Sequence, residues 1–292
     1  MKNNSTLFSR RSFMTAMGAV GVLGGLGLPS ALGVDETSGK GRIRQGVCRG
    51  VFSGTKLDLD GQCREAARLG FVGIDLVGAD TFPTLKKHGL IPTMVPGGSG
   101  IKKGINDPAN HDDIFPKMVD ALKVAATAGA PNVIVLAGDR AGFTDEQSLE
   151  HCATFLNKIK AQAEDLGVTL CMELLNSKVN HPGYVCDRTK WGVELCKRVN
   201  SPRMKLLYDI YHMQIMEGDV IRTIRENIKY IGHFHTAGNP GRREFDETQE
   251  LNYPGICKAI AALDYKGVLS HEYTPTADAL VTLEKMKKLC EV

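Results

Sequence analysis

Residue types that bind metal ions end four consecutive apolar runs in the second half of the sequence. Glu173, Asp209 and Glu272 each close such a run, and the run before the last one carries His233 and His235. The two histidines share one face, since side chains alternate along a strand. Burying that many charged groups without compensation would cost several kcal/mol each. A cation bound among them would remove that cost.

Three carboxylates and one imidazole favour a hard or borderline divalent ion, with Mn²⁺ preferred and Mg²⁺, Co²⁺ or Zn²⁺ also suitable. Four protein ligands would leave room for a substrate that chelates through a carbonyl and its neighbouring hydroxyl. His235 is the expected imidazole ligand because it lies nearer the end of its run, and His233 is the alternative. The sequence therefore predicts one metal ion held by Glu173, Asp209, His235 and Glu272.

The elements that position these residues alternate regularly. Eight apolar runs separated by helical patterns are typical of parallel strands buried on both faces. Eight such units in about 250 residues predict a single-domain (β/α)8 TIM barrel, an α/β fold whose sites lie at the carboxyl ends of the strands. An open doubly wound sheet is the alternative, but no G-x-G-x-x-G motif follows the first run. The predicted strands are 44–48, 73–77, 91–95, 133–137, 168–173, 205–209, 231–235 and 268–272, and the predicted helices are 59–69, 82–88, 112–128, 145–166, 189–199, 220–227, 254–263 and 277–289.

Composition narrows the class of protein. The chain has 292 residues, a net charge of +3 and 42% hydrophobic residues, which is ordinary for a globular domain. Basic residues do not cluster with aromatics, so no nucleic-acid partner is expected. The eight cysteines form no C-x-x-C pair and are expected to be free, buried thiols. A glycine-rich loop after the third strand, 96–110, is either a lid or a solvated loop.

The N-terminus is expected to be a targeting segment. Arg10 and Arg11 precede Ser12 and Phe13 and then a glycine-rich apolar run, the pattern of a twin-arginine signal peptide. A membrane anchor is the alternative, although a span needs about 20 strongly apolar residues. We assign 1–33 to the signal and 34–292 to the barrel domain. The expected location is periplasmic or extracytoplasmic, without stable membrane insertion of the mature protein.

Three motifs resemble one family. They are D-I-Y-H-M-Q-I-M from Asp209, G-H-F-H-T-A-G-N-P-G-R-R-E from Gly232, and H-E-Y-T-P from His271. Together they are similar to the xylose-isomerase-like sugar isomerases and epimerases, with the P-G-R-x-E loop of hydroxypyruvate isomerases. One position departs from that group: His235 stands where hydroxypyruvate isomerases commonly have Gln and ketose 3-epimerases have a histidine ligand.

The resemblance implies roles for individual residues. It gives Glu173, Asp209, His235 and Glu272 as ligands, and it makes Glu173 and Glu272 the acid and base of an enediolate reaction. His212, expected in a loop, and Arg242 would bind the substrate, a small hydroxy-carbonyl sugar. For the arginine, Arg243 is the alternative.

Other functions use similar residues. A metal-dependent lyase or hydratase on an oxidised sugar or glycoside would share the same chemistry. A barrel nuclease with a three-zinc cluster would need further ligands on the early strands, whose ends are expected to carry none. A carbohydrate-binding module would need no acid–base pair. Assembly into a homo-oligomer stays open.

Overall fold

The computed structural model describes residues 43–292, and the statements on structure below refer to that part of the chain. Eight strands and nine α-helices alternate within it. The strands are β1 (Arg44–Cys48), β2 (Gly73–Asp75), β3 (Ile91–Pro96), β4 (Asn132–Val135), β5 (Thr169–Glu173), β6 (Met204–Asp209), β7 (Ile231–Thr236) and β8 (Val268–His271). The helices are α1 (Leu59–Arg68), α2 (Phe82–Lys87), α3 (His111–Ala128), α4 (Asp145–Leu166), α5 (Thr189–Val199), α6 (Ile210–Met216), α7 (Val220–Asn227), α8 (Tyr253–Ala261) and α9 (Ala279–Leu289).

The strands form one closed barrel in chain order. Every strand pairs in parallel with the next, and β8 pairs with β1, where Val47 lies opposite His271. The carboxyl ends of all eight strands therefore meet at one rim, which is where sites form in this architecture. The predicted (β/α)8 barrel is confirmed, and the open sheet is excluded by the β1–β8 pairing.

The helices have well-defined ends. In α4 the Thr144 side chain accepts a hydrogen bond from the backbone N–H of Gln147, and the Gln147 side chain accepts one from the backbone of Thr144. This reciprocal capping box satisfies two donors that helix formation leaves free. Gly167 ends the same helix in the left-handed region, at φ 69°, where a residue without Cβ is not strained.

The barrel interior has an apolar layer beneath its polar rim. Met94, Ile134, Cys171 and Leu207 form a small apolar cluster separate from the large core between the strands and helices. Cys171 lies two residues before Glu173, so both side chains point into the barrel. The predicted site thus lies next to this small apolar cluster.

Three local differences between the structure and the predicted elements concern the strands of the site, and other boundaries, such as the end of β4 at Val135, differ by one or two residues. The segment after β6, expected to be a loop, forms α6, because the Asp209 side chain accepts a hydrogen bond from the His212 N–H and caps the helix. Strand β2 ends at Asp75, since Leu76 has a left-handed backbone with φ 59°. Strand β8 ends at His271, so Glu272 lies just beyond it.

The long loop after β3 is attached to the end of β4. The backbone N–H groups of Ile105 and Asn106 donate to Leu136 and Ala137, and both loop residues are fully buried. The Asn106 side chain also donates to the Asp139 carbonyl at 2.7 Å. The base of this loop is therefore part of the rim, whereas Lys102 and Lys103 are exposed near its tip.

Two expectations concern other parts of the chain. All eight cysteines are buried and unpaired, as the sequence indicates. The predicted signal peptide, 1–33, lies outside the described residues. Within 43–292, no helix is long and apolar enough to cross a membrane.

Candidate metal centre

Four side chains converge at the carboxyl ends of the last four strands. Glu173 ends β5, Asp209 ends β6, His235 lies near the end of β7, and Glu272 follows β8. Asp209 is paired directly with His235 across the sheet, and the Glu272 N–H donates to Thr236 at 2.9 Å. As a result, one potential ligand atom from each of the four residues lies within 4.8 Å of the others.

The donors in this cluster suit a cation. His235 Nδ1 is buried and makes no hydrogen bond within the described part of the chain. It lies 2.8 Å from Glu272 Oε2 and 3.7 Å from Glu173 Oε1. An imidazole nitrogen and three carboxylates that face one point, in a largely buried setting, are the donor set of a divalent metal site. These residues therefore fit the metal that the sequence predicts.

The two glutamates have different pKa values. Burial raises the pKa of Glu173, and the charges of Glu272 and Asp209 raise it further. Burial also acts on Glu272, but the attraction of His235 and Arg242 outweighs it and lowers the Glu272 pKa. Two carboxyl groups with separated pKa values are the arrangement that assigns one of them as acid and the other as base.

His212 occupies a fully buried position in α6. Its Nδ1 accepts a hydrogen bond from the backbone N–H of Asn176 at 3.1 Å. Burial, together with the charge of Arg242, lowers the His212 pKa well below its usual value, so the ring is neutral. With Nδ1 as the acceptor, the proton of the neutral ring is on Nε2. His212 therefore presents a hydrogen-bond donor to the site.

Arg242 bridges the carboxylates at the mouth of the site. One guanidinium nitrogen, Nη2, lies 2.7 Å from Glu272 Oε2 and 3.2 Å from Asp209 Oδ2. The other, Nη1, contacts His212 Nε2. Two donors do not stabilise each other, so the attraction of the carboxylates accounts for the arginine's position. The Arg242 carbonyl accepts from the Thr274 N–H at 2.8 Å, which fixes the loop that carries the side chain.

Comparison with known proteins identifies the family. Residues 63–289 match the family described as the xylose isomerase-like TIM barrel. The chain belongs to this family. It is 35% identical over 186 residues to the 2-oxo-tetronate isomerase of Cupriavidus necator, an alignment that covers 62% of this chain and 69% of that protein. It is 32% identical over 179 residues to the hydroxypyruvate isomerase of Escherichia coli K12, covering 58% of this chain and 65% of the relative.

Solved structures of other proteins share the barrel. A Brucella melitensis protein described as AP endonuclease, family 2, superposes with a TM-score of 0.76 at 26% identity, covering 84% of this chain and 99% of the other. The D-psicose 3-epimerase of Clostridium cellulolyticum H10 gives 0.71 at 19% identity, covering 86% and 100%. The second likeness shows the fold alone. The family match over residues 63–289 confirms the membership that the three motifs predict.

The structure of this xylose isomerase-like barrel brings all six residues singled out by sequence to one rim. The four predicted ligands face one point; they are Glu173, Asp209, His235 and Glu272. The two predicted substrate-binding residues, His212 and Arg242, lie at the mouth of the site. Arg243 is exposed, so the geometry selects Arg242 of the two arginines. Whether these residues ligate a metal or transfer a proton stays a prediction.

Two early-strand residues were missed. The expectation that the ends of the early strands carry no metal-binding side chain is wrong for β1 and β2, which end in Cys48 and Asp75. Asp75 is fully buried and lies 3.0 Å from His235 Nε2, and Cys48 Sγ lies 3.6 Å from the same nitrogen. The signal was present: an aspartate inside the apolar run Gly73 to Val77 has no packing explanation.

Proposed function

We propose that this chain is a divalent-metal-dependent isomerase or epimerase that acts on a small hydroxy-carbonyl sugar through an enediolate, in the manner of hydroxypyruvate isomerases. One observation carries the proposal. Glu173 and Glu272, with their pKa values moved apart, flank the unpaired Nδ1 of His235 in a largely buried cluster. Mn²⁺ is the preferred ion, and Mg²⁺, Co²⁺ or Zn²⁺ would also suit the donors.

Glu173 and Glu272 perform the proton transfers in this proposal. A bound divalent ion would supply Lewis-acid polarisation of the substrate's carbonyl and adjacent hydroxyl. One glutamate removes the proton next to the carbonyl, and the other returns a proton to the opposite face or to the neighbouring carbon. Return to the same carbon gives epimerisation. Return to the neighbouring carbon, whose hydroxyl proton passes to the former carbonyl oxygen, gives isomerisation.

The residues proposed to bind the substrate favour one that carries a carboxylate. The two relatives are named for hydroxypyruvate and 2-oxo-tetronate, both of which carry a carboxylate. Arg242 is 23% exposed at the mouth, and a planar guanidinium binds a carboxylate through two parallel hydrogen bonds. His212 Nε2–H, beside it, can donate to a substrate oxygen. A small hydroxy-oxo acid is therefore the substrate class that these two residues suit best.

Proton exchange tests the reaction directly. Metal-loaded protein is incubated in D₂O with hydroxypyruvate, 2-oxo-tetronate, neutral ketoses and oxidised glycosides, and the products are followed by NMR. The expected result is deuterium next to the carbonyl together with an isomeric product from a hydroxy-oxo acid. Exchange on an oxidised glycoside followed by loss of a group would identify a lyase. Absence of exchange from every compound would contradict the proposal.

Glutamate variants test the roles of the two carboxylates. Glu173→Gln and Glu272→Gln each keep an oxygen that can reach a metal but lack the basic group. Each is expected to retain metal and to lose at least about 100-fold in turnover. Glu217→Gln is the matched control, because Glu217 caps α5 through Thr189 and is not part of the site. Wild-type turnover by either site variant with metal bound would refute the two-carboxylate mechanism.

A further inference from the structure

Asp75 is a buried carboxylate on the side of the barrel opposite the candidate ligands. It ends β2, and its side chain is completely inaccessible to solvent. The β2–β3 register shifts between Ile74 and Asp75, and Leu76 then adopts a left-handed backbone with φ 59°. Bulges re-aim side chains near sites, and a left-handed backbone is strained for leucine. The backbone here is shaped to send Asp75 into the barrel.

The contacts of Asp75 indicate which histidine nitrogens around it carry a proton. The Thr93 hydroxyl donates to Oδ1. Oδ2 lies 2.6 Å from His233 Nε2 and 3.0 Å from His235 Nε2. A carboxylate oxygen accepts hydrogen bonds, and Oδ2 lies within hydrogen-bond distance of both ring nitrogens. Both Nε2 atoms must therefore carry a proton.

The other ring nitrogen of His233 has a hydrogen-bond partner that is not one of the candidate ligands. Its Nδ1 lies 3.4 Å from Asn132 Nδ2, an amide nitrogen that can only donate. The Asn132 orientation is fixed in turn, since Nδ2 also donates to the Thr93 carbonyl at 3.0 Å and Cys171 Sγ lies 3.6 Å from Oδ1. His233 thus has a partner on each ring nitrogen and holds Asp75 in place.

His235 differs from His233 in one respect. With Nε2–H directed at Asp75, its other nitrogen, Nδ1, faces Glu173 and Glu272 and has no hydrogen bond among the described residues. Cys48 Sγ also lies near Nε2, but at 3.6 Å it is farther away than Asp75 Oδ2, and sulfur is a weak acceptor. Asp75 is the strong acceptor for the Nε2 proton.

We infer that Asp75 is a positioning residue, which holds the Nε2 proton of His235 and so directs the Nδ1 lone pair to the carboxylate cluster. The inference rests on the proposed function in that the cluster holds a metal. A carboxylate behind a ligating imidazole fixes its ring and makes the free nitrogen a stronger donor. Without the carboxylate, the proton can move to Nδ1 and occupy the direction of the metal.

The first test locates the proton without using activity. Protein labelled with ¹⁵N in histidine is loaded with Mg²⁺ or Zn²⁺, which are diamagnetic, and the ring nitrogens are assigned by NMR. His235 Nε2 is expected to carry a proton that exchanges slowly with water, and Nδ1 to carry none. A proton on Nδ1 with bare Nε2 would overturn the inference, and this wild-type measurement decides it even if every Asp75 variant fails to fold.

The second test measures metal affinity. Asp75→Asn keeps the size of the side chain and removes its charge, and it is expected to weaken metal binding about 10- to 100-fold. Because Asp75 transfers no proton to substrate, saturating metal is expected to restore most of the turnover. Cys48→Ala is the control, since it removes the other neighbour of the same nitrogen, and its metal affinity is expected to be unchanged.

The outcomes separate the inference from the proposed function. A folded Asp75→Asn protein with wild-type metal affinity, or a Cys48→Ala protein that loses as much affinity as Asp75→Asn, would overturn the role of Asp75. A wild-type protein that binds metal through His235 Nδ1 but transforms no substrate would refute the proposed function and leave the inference standing.

Discussion

Arg242→Ala is the substitution that most directly tests the electrostatics of the site. In the structure its guanidinium neutralises Asp209 and Glu272, two carboxylates that otherwise repel each other and Glu173. A divalent cation would do the same from the centre of the cluster. Arginine and metal therefore compete for the same charges, and removing the arginine is expected to act oppositely on folding and on metal binding.

The size of the effect follows from burial. Removing one partner of a fully buried ion pair costs about 3–5 kcal/mol. Asp209 is almost completely buried, but Arg242 and Glu272 side chains are each 23% exposed, so solvent screens part of the interaction. We expect Arg242→Ala to lower the free energy of unfolding of metal-free protein by about 2–3 kcal/mol, or about 5–10 °C in Tm. In metal-loaded protein the expected loss is below about 1 kcal/mol, because the cation compensates the carboxylates.

The assay is a thermodynamic cycle. Wild type and variant are unfolded in denaturant with chelator and with saturating metal, and metal affinity is measured separately by calorimetry. Because the cycle must close, a difference of about 1.4–2 kcal/mol between the two unfolding losses means that Arg242→Ala binds metal about 10- to 30-fold more tightly.

Arg243→Ala is the matched control, as it makes the same change of charge at the exposed neighbouring residue. It is expected to alter neither stability nor metal affinity. Equal destabilisation by Arg242→Ala with and without metal, or weaker metal binding by that variant, would refute the idea that arginine and cation share the same carboxylates.

The other expectations concern the ligand, the pH and the N-terminus. Asp209→Asn is expected to lose metal affinity first, with activity partly restored by excess metal in a titration. Burial lowers the pKa of His271 to about 3 in the folded protein, against 6.5 ordinarily, so the unfolded chain binds more protons below about pH 6.5. Stability is therefore expected to fall by up to about 1.4 kcal/mol per pH unit from pH 6.5 downwards, and less steeply in His271→Gln, as measured by denaturant unfolding. We also propose export by the twin-arginine route: deleting 1–33 should leave a folded, active protein, and replacing Arg10 and Arg11 by lysine should block export in a cell-fractionation assay.

The sequence predicts the barrel well because the spacing of apolar residues indicates which segments are buried, and most strand residues are buried. The prediction fails where a single residue decides where a strand or helix begins or ends. The residue after β2 was assigned to the strand because leucine is apolar, yet Leu76 takes a left-handed backbone that no periodicity reveals. Likewise, the sequence indicates a loop where α6 forms. Asp209 is recognisable in the sequence as a predicted ligand, but not as the residue that caps a helix.

The residues of the candidate site could also be predicted only in part from the sequence. Residues that end buried strands in succession, such as Glu173 and Asp209, stand out from sequence because each is a charged residue in an apolar run. Asp75 has the same signature but is separated from them by several elements, and only closure of the barrel brings it to His235. The contact between the 75th and the 235th residue depends on topology, which a linear pattern does not encode.

Because the site needs the closed barrel, its four clustered side chains can come together only late in the synthesis of the chain. β8 is bonded to both β7 and β1, and Glu272, the last of the four clustered side chains, follows it directly. A nascent chain lacking this segment has neither a closed sheet nor a complete cluster, so it cannot retain the ion in the same way. A metal ion bound by all four side chains would therefore be bound only after the barrel has closed, whereas in small zinc domains metal binding drives folding itself.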